Sequence, residues 1–169
     1  MIRGPAHFRP AARMTQDNLE YVGFWLRVGA AIIDTLVVLG VSLPLLIAIY
    51  GWVYFQHAFS GTSAGTADVL ISWLGPALFS IAFWLYKQAT PGKLAIGARV
   101  VDAKTGGALT PVQSVVRYLG YFVSTIPLGL GLIWVGLDPK KQGWHDKMAG
   151  TVVVRPKGGV TQPVQFEPR

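Results

Sequence analysis

Residues 23–52 read GFWLRVGAAIIDTLVVLGVSLPLLIAIYGW, an apolar run that carries one arginine, Arg27, and one aspartate, Asp34. A helix rises about 1.5 Å per residue, so about 20 such residues cross the hydrocarbon layer of a bilayer. The run therefore reads as a membrane-spanning helix. Its length, about Phe24 to Phe55, calls for tilt, a kink or protrusion. Pro44 is the natural kink, because proline removes a helix hydrogen bond. Tyr50, Trp52, Tyr54 and Phe55 form an aromatic end suited to a headgroup layer.

The rest of the chain agrees. Of 169 residues, 51% are hydrophobic and only 14% charged, against about 25% charged in a soluble domain. A second apolar run, Val69 to Tyr86, has no charge and one possible bend at Gly75-Pro76. Residues 56–68 between the runs are a polar loop. A third apolar region, Val112 to Leu137, is interrupted by Arg117, Pro127, Gly129, Gly131 and Gly136. The β-branched stretches near 95–102 and at 151–155 read as short strands. The expected fold is an all-α integral membrane protein. It has two full transmembrane helices, a broken helix hairpin or third span, and a small cytoplasmic β element. Residues 1–20 and 157–169 are expected to be flexible tails around a membrane domain at 21–156. The apolar run is too long, and lacks the small-residue cleavage pattern, for a signal peptide.

Orientation follows from basic residues, which favour the cytoplasmic side. Four precede or open the first span (Arg3, Arg9, Arg13, Arg27), and the 56–68 loop has none. Five lie in 87–117 and six after 137. A simple third crossing would put the basic tail outside. A region that breaks at STIPLGLG and returns keeps both termini cytoplasmic and lets the two strands pair.

The net charge of +7 is spread over three loops with no nucleic-acid motif, so attraction to an anionic bilayer face is the reading, not nucleic-acid binding. There are no cysteines, and His7, His57 and His145 lack metal-ligand spacing. The pair His145-Asp146 reads as polar surface. No nucleophile elbow or phosphate loop is present, TPGK and KTGG having the wrong spacing. Neither an enzyme nor a cofactor is expected.

The charged residues of the apolar regions carry the functional question. Arg27 can reach the interface. Asp34 cannot, and seven residues, about 10 Å, separate the two, with Arg27 leaning away. Each needs a partner elsewhere: Arg117 for Asp34, and Asp138 or Asp146 for Arg27.

The stretches GFWLRVGAAIID, TPGKLAIGARVVD and LGLIWVGLDPKKQGWHDKMAGTVVVR, in this order over 21–156, resemble the RDD family of small bacterial membrane proteins, named for an arginine and two aspartates. Arg27 matches the arginine and Asp34 the first aspartate. Asp146 matches the second, with Asp138 at another position often acidic in the family. The resemblance implies a multi-pass protein of the bacterial inner membrane. From some members it implies exchange of small cations for protons.

Two functions compete. In cation transport coupled to protons, Asp34 is the binding or proton site and Arg27 tunes or gates it. Two spans and a hairpin are too few for a pathway, so a homo-oligomer is required. In a structural or accessory subunit, the Arg and Asp residues form ion pairs that fix the helices. The bilayer lipid, a larger membrane complex, a small cation and the proton are the expected partners.

Overall fold

The computed structural model describes residues 18–157 together with Val164 and Phe166. The elements in chain order are β1 (Leu19–Tyr21), α1 (Phe24–Tyr50), α2 (Val53–Ser60) and α3 (Thr66–Lys87). After them come α4 (Pro91–Ala95), β2 (Arg99–Asp102), α5 (Pro111–Thr125), α6 (Leu130–Gly136), α7 (Trp144–Ala149) and β3 (Thr151–Pro156). Helices dominate. The helices α1 and α3 are each long and apolar enough to cross a membrane. Their outer faces expose Ile32, Leu36, Ile49 and Trp73, as lipid contact requires.

Pro44 lies inside α1 without ending the helix. In α3 the proline effect appears upstream instead. Pro76 has no N–H to give the preceding turn, and Leu70–Leu74 widens into a π turn, with Gly75 N–H bonded to the Leu70 carbonyl. The stretch after α1, read as a polar loop from residue 56, contains the end of α2 and the start of α3.

The broken third region is observed. The helices α5 and α6 are bent by 113° at a break of at most four residues. Thr110 and Gln113 start α5 with a reciprocal capping box, and Pro111 sits at its first position. Gly131 lets α6 close on α5. A Cβ there would lie 2.6 Å from Ser124 Cα, too near for any side chain.

The three strands form one antiparallel sheet in the order β1-β3-β2. Val100 faces Val153 and Val101 faces Val152 across β2 and β3, and Glu20 faces Arg155 across β1 and β3. Side chains alternate between faces. Val22, Val100 and Val153 point with Ala98, Leu109 and Trp84 into the core toward the helices. Leu19, Val101, Val152 and Val154 form a second cluster on the other face, closed by Val164.

Three sequence expectations shift. The strand near 95–102 begins only at Arg99, because Thr90 is extended and Pro91 starts a short helix through Ala95. Leu19 and Glu20, assigned to the flexible N-terminal tail, are strand residues paired to β3. Val164 and Phe166, assigned to the C-terminal tail, rest on the sheet cluster. The remainder of both tails lies outside the described residues.

The short helix α4 sits against α1 at Gly92, where a Cβ would fall inside the contact radius of the Ala30 carbonyl oxygen. Overpacking of this kind costs typically 1–3 kcal/mol. Gly92→Ala is expected to lower stability by about 3 kcal/mol. Thermal unfolding of purified protein in detergent measures it, and an unchanged midpoint would rule out the tight α4–α1 approach.

Candidate functional site

The two arginines of the apolar regions are drawn to one carboxylate, Asp146, which is fully buried on α7. Arg27, from the first turn of α1, places Nη1 2.6 Å from Asp146 Oδ2. Arg117, in the middle of α5 and also fully buried, gives Nη1 to Asp146 Oδ1. The Gly143 N–H donates to Oδ2 at 3.0 Å. Thr151 Oγ1, at the head of β3, accepts from Arg117 at 2.6 Å. Arg27 also donates to the Val22 carbonyl at 2.9 Å and the Lys141 carbonyl at 2.5 Å. One carboxylate thus joins α1, α5, α7 and the sheet.

Burial is the largest influence on the Asp146 carboxyl and by itself raises its pKa. The Arg117 and Arg27 guanidiniums outweigh that and hold it well below the usual carboxylate range. The group is ionised. With two guanidiniums around it, the cluster carries net positive charge.

His145 completes the cluster from the same helix. It is buried, and its ring stacks on Tyr121 at 4.0 Å between centroids. Tyr121 in turn stacks on Trp84, and the Arg117 guanidinium lies 5.2 Å over the Trp84 ring. Arg117 Nε and Nη2 have no hydrogen-bond partner among the described residues, and this aromatic stack is what they face. Burial pushes the His145 pKa down to about 3, with Arg117, Arg27 and Lys93 adding to the effect and Asp146 opposing it. The imidazole is neutral.

Asp34 lies apart from this cluster. Its Oδ2 accepts from the Thr90 hydroxyl at 2.5 Å and its Oδ1 from the Gly92 N–H at 2.7 Å. Asp34 therefore caps α4, where the unpaired N–H groups of a helix start favour a carboxylate. Lys93 follows on α4. It is only 8% exposed, and its Nζ reaches the Thr90 hydroxyl at 3.4 Å. Asp34, Thr90 and Lys93 line a cleft of about 370 Å³ between α1, α3 and α5, walled also by Trp84, Tyr118 and Tyr121.

The sequence expectations divide accordingly. Arg27 and Asp146 meet. Arg117 does not reach Asp34, because it turns to the same buried Asp146. Asp138 takes neither arginine. It accepts from the N–H groups of Lys140 and Gln142, and pairs with Lys147 at 2.5 Å. His145 is part of the core cluster and not polar surface. The sequence reading missed Lys93, Thr90 and His145. TPGK held the signal for the first two: a threonine cap and a proline at the first position mark a helix start, which needs an acceptor.

Residues 21–150 match the model of the RDD family. The uncharacterized membrane protein YteJ of Bacillus subtilis strain 168 is 34% identical over 141 residues, 81% of this chain and 82% of its own length. YckC, an uncharacterized protein of the same organism, is 33% identical over 139 residues, 78% and 82% of the two chains. The uncharacterized protein RP437 of Rickettsia prowazekii strain Madrid E is 38% identical over 77 residues, 46% of this chain and 42% of its own, so less than half of it is matched. No solved structure matches the chain.

Two outcomes follow from the cluster. Asp146→Asn removes the counter-charge of two guanidiniums and is expected to cost about 3–5 kcal/mol, read from denaturant unfolding in detergent. His145 gives the second. Its folded pKa of about 3 lies below its ordinary 6.5, so its stabilisation is complete above pH 6.5 and is lost as pH falls toward 3. Between pH 7 and 5 stability should drop by about 2 kcal/mol. His145→Gln should flatten that slope. Asp146 contributes no slope there, since its lowered pKa puts its loss below the ordinary carboxylate range. An equal slope in wild type and His145→Gln would exclude a neutral buried imidazole.

Proposed function

The chain belongs to the RDD family of membrane proteins, and from that premise we propose that it is a structural or accessory membrane subunit, whose arginines and aspartates fix its helices into a rigid platform. One observation carries this reading. Asp34, the aspartate of the first apolar run, and Asp146 are both already satisfied by protein donors, Asp146 by two guanidiniums and Asp34 by a hydroxyl and a helix-start N–H. A carboxylate so engaged has little left for a passing cation.

The platform sits in the bacterial inner membrane. One sheet joins a strand before α1, a strand after α3 and a strand after α7. A hydrogen-bonded sheet cannot straddle a bilayer, so α5 and α6 return to the side they leave. By the charge rule that side is cytoplasmic, and both chain ends lie there. The apolar outer faces of α1 and α3 meet lipid, a second copy or a larger membrane complex.

A second reading has a specific observation behind it. Asp34 and Lys93 line one cleft between the two long helices, and intramembrane ionisable groups mark ion and proton pathways. In an oligomer such clefts could join into a route for exchange of a small cation for protons.

Reconstitution separates the two. Purified protein in liposomes under a pH gradient is expected to give no dissipation on adding Na⁺, K⁺ or Li⁺. The accessory role further expects a stoichiometric partner in mild-detergent purification from native membranes, lost with Asp146→Asn. Cation-dependent dissipation that disappears in a folded Asp34→Asn variant would overturn the accessory reading in favour of exchange.

A further inference from the structure

The cleft at Lys93 does not end at its polar wall. Further along α1 and α3 lies a second cavity of about 360 Å³, sharing Val38, Pro76 and Phe79 with the first. The order along the helices is the informative feature. On α1 the cleft begins at Ala31, Asp34 and Thr35, and the second cavity continues through Val41 to Leu45. On the antiparallel α3 it begins at Trp84 and Ser80 and continues through Phe79 to Leu74 and Leu70. The two cavities make one groove, polar at the sheet end and apolar beyond. From Ala31 to Leu45 it runs about 21 Å along the helix.

The polar end has an unspent charge. Lys93 is more than nine-tenths buried, lines the cleft, and makes one long bond to Thr90. Among the described residues it belongs to no ion pair. Asp34, one hydroxyl away, has both oxygens engaged. Behind the cleft residues Trp84 and Tyr121 stands Arg117, which shares Asp146 with Arg27, so that one of the two positive charges is neutralised. With Lys93 and Asp34 balancing in the wall, a ligand head at this end meets donors and the one surplus positive charge of the arginine cluster, and its tail meets Val41, Leu45, Leu70 and Leu74.

We propose that this groove binds one phospholipid of net negative charge, with its phosphate on Lys93 and an acyl chain in the trough between α1 and α3. The charge of Lys93 and the polar-to-apolar order specify that chemistry, since a buried ammonium needs an anion. The head lies at the basic, sheet-bearing end, where an anionic leaflet is the neighbour. The site stands whether or not the protein carries ions.

The test uses the full chain in detergent, titrated with dioleoylphosphatidylglycerol and in parallel with dioleoylphosphatidylcholine, with bound lipid counted by native mass spectrometry. One phosphatidylglycerol per chain is expected, held about fivefold more tightly than phosphatidylcholine, the contribution of one lysine. Lys93→Gln should make the two lipids equal and Lys93→Arg should restore the preference. Val41→Trp, which fills the trough, should weaken retention of both. Glycerol phosphate, a head without a chain, should not compete. Equal retention of the two lipids by the wild type would sink the proposal without any variant. So would an unchanged preference in Lys93→Gln, unchanged retention in Val41→Trp, or effective competition by glycerol phosphate.

Discussion

Everything in this fold leans on the burial of Asp146 between two guanidiniums. Removing a carboxylate from water is costly, and in the low-dielectric interior it is tolerated only when partners and further hydrogen bonds compensate. Here Arg27 and Arg117 supply the charge, while Gly143 N–H supplies a further donor. The partners come from separate parts of the chain. The same ion that must be neutralised therefore decides where α1, α5 and α7 stand relative to one another. Such a cluster is weak as a source of net stability and strong as a specifier, since any arrangement that separates the three leaves a bare charge in an apolar core. The sheet adds a second tie. It joins segments before α1, after α3 and after α7 through backbone bonds, with Thr151 in both the sheet and the cluster.

Much of the fold was legible from hydropathy alone, because a bilayer imposes length and composition on any helix that crosses it. Both long helices belong to that class, whereas the break near STIPLGLG is legible in its Pro and Gly residues and the basic tail, and the two valine-rich strands in their β-branched residues. The third strand, Leu19–Tyr21, did not announce itself. Three residues are too few for a period, and its pairing depends on β3, some 130 residues away in sequence. The helix at Pro91–Ala95 was hidden for a related reason, since LAIGARVVD alternates enough to suggest a strand throughout.

The site was legible in its members but not in its pairings. Arg27, Arg117 and Asp146 are conspicuous as charges in or beside apolar sequence. Which carboxylate each arginine takes is a tertiary fact. Arg117 was matched with Asp34 because each needs a partner on another element, yet α7 brings Asp146 to the middle of α5. His145 shows the limit most clearly. A His-Asp pair reads as surface, but α7 is a buried helix whose neutral imidazole packs on Tyr121. Neither its burial nor its stacking leaves a mark in six residues of sequence.

The two aspartates solve one problem in different ways, and the difference shapes the molecule. Asp146 is closed by full charges, so the surplus of its cluster is positive. Asp34 is closed by dipoles, a hydroxyl and the start of a short helix, so its own negative charge is spread without a cation being consumed. Lys93 is therefore left without a carboxylate of its own, although Asp34 lies one hydroxyl away. Had Asp34 taken Lys93 directly, the ammonium would be pinned to that carboxylate and α4 would lose its cap. With the cap in place, the ammonium is held at the mouth of an apolar trough. The positive surplus beside the polar end of the groove thus comes from the two guanidiniums on Asp146, while Lys93 and Asp34 balance in the cleft wall.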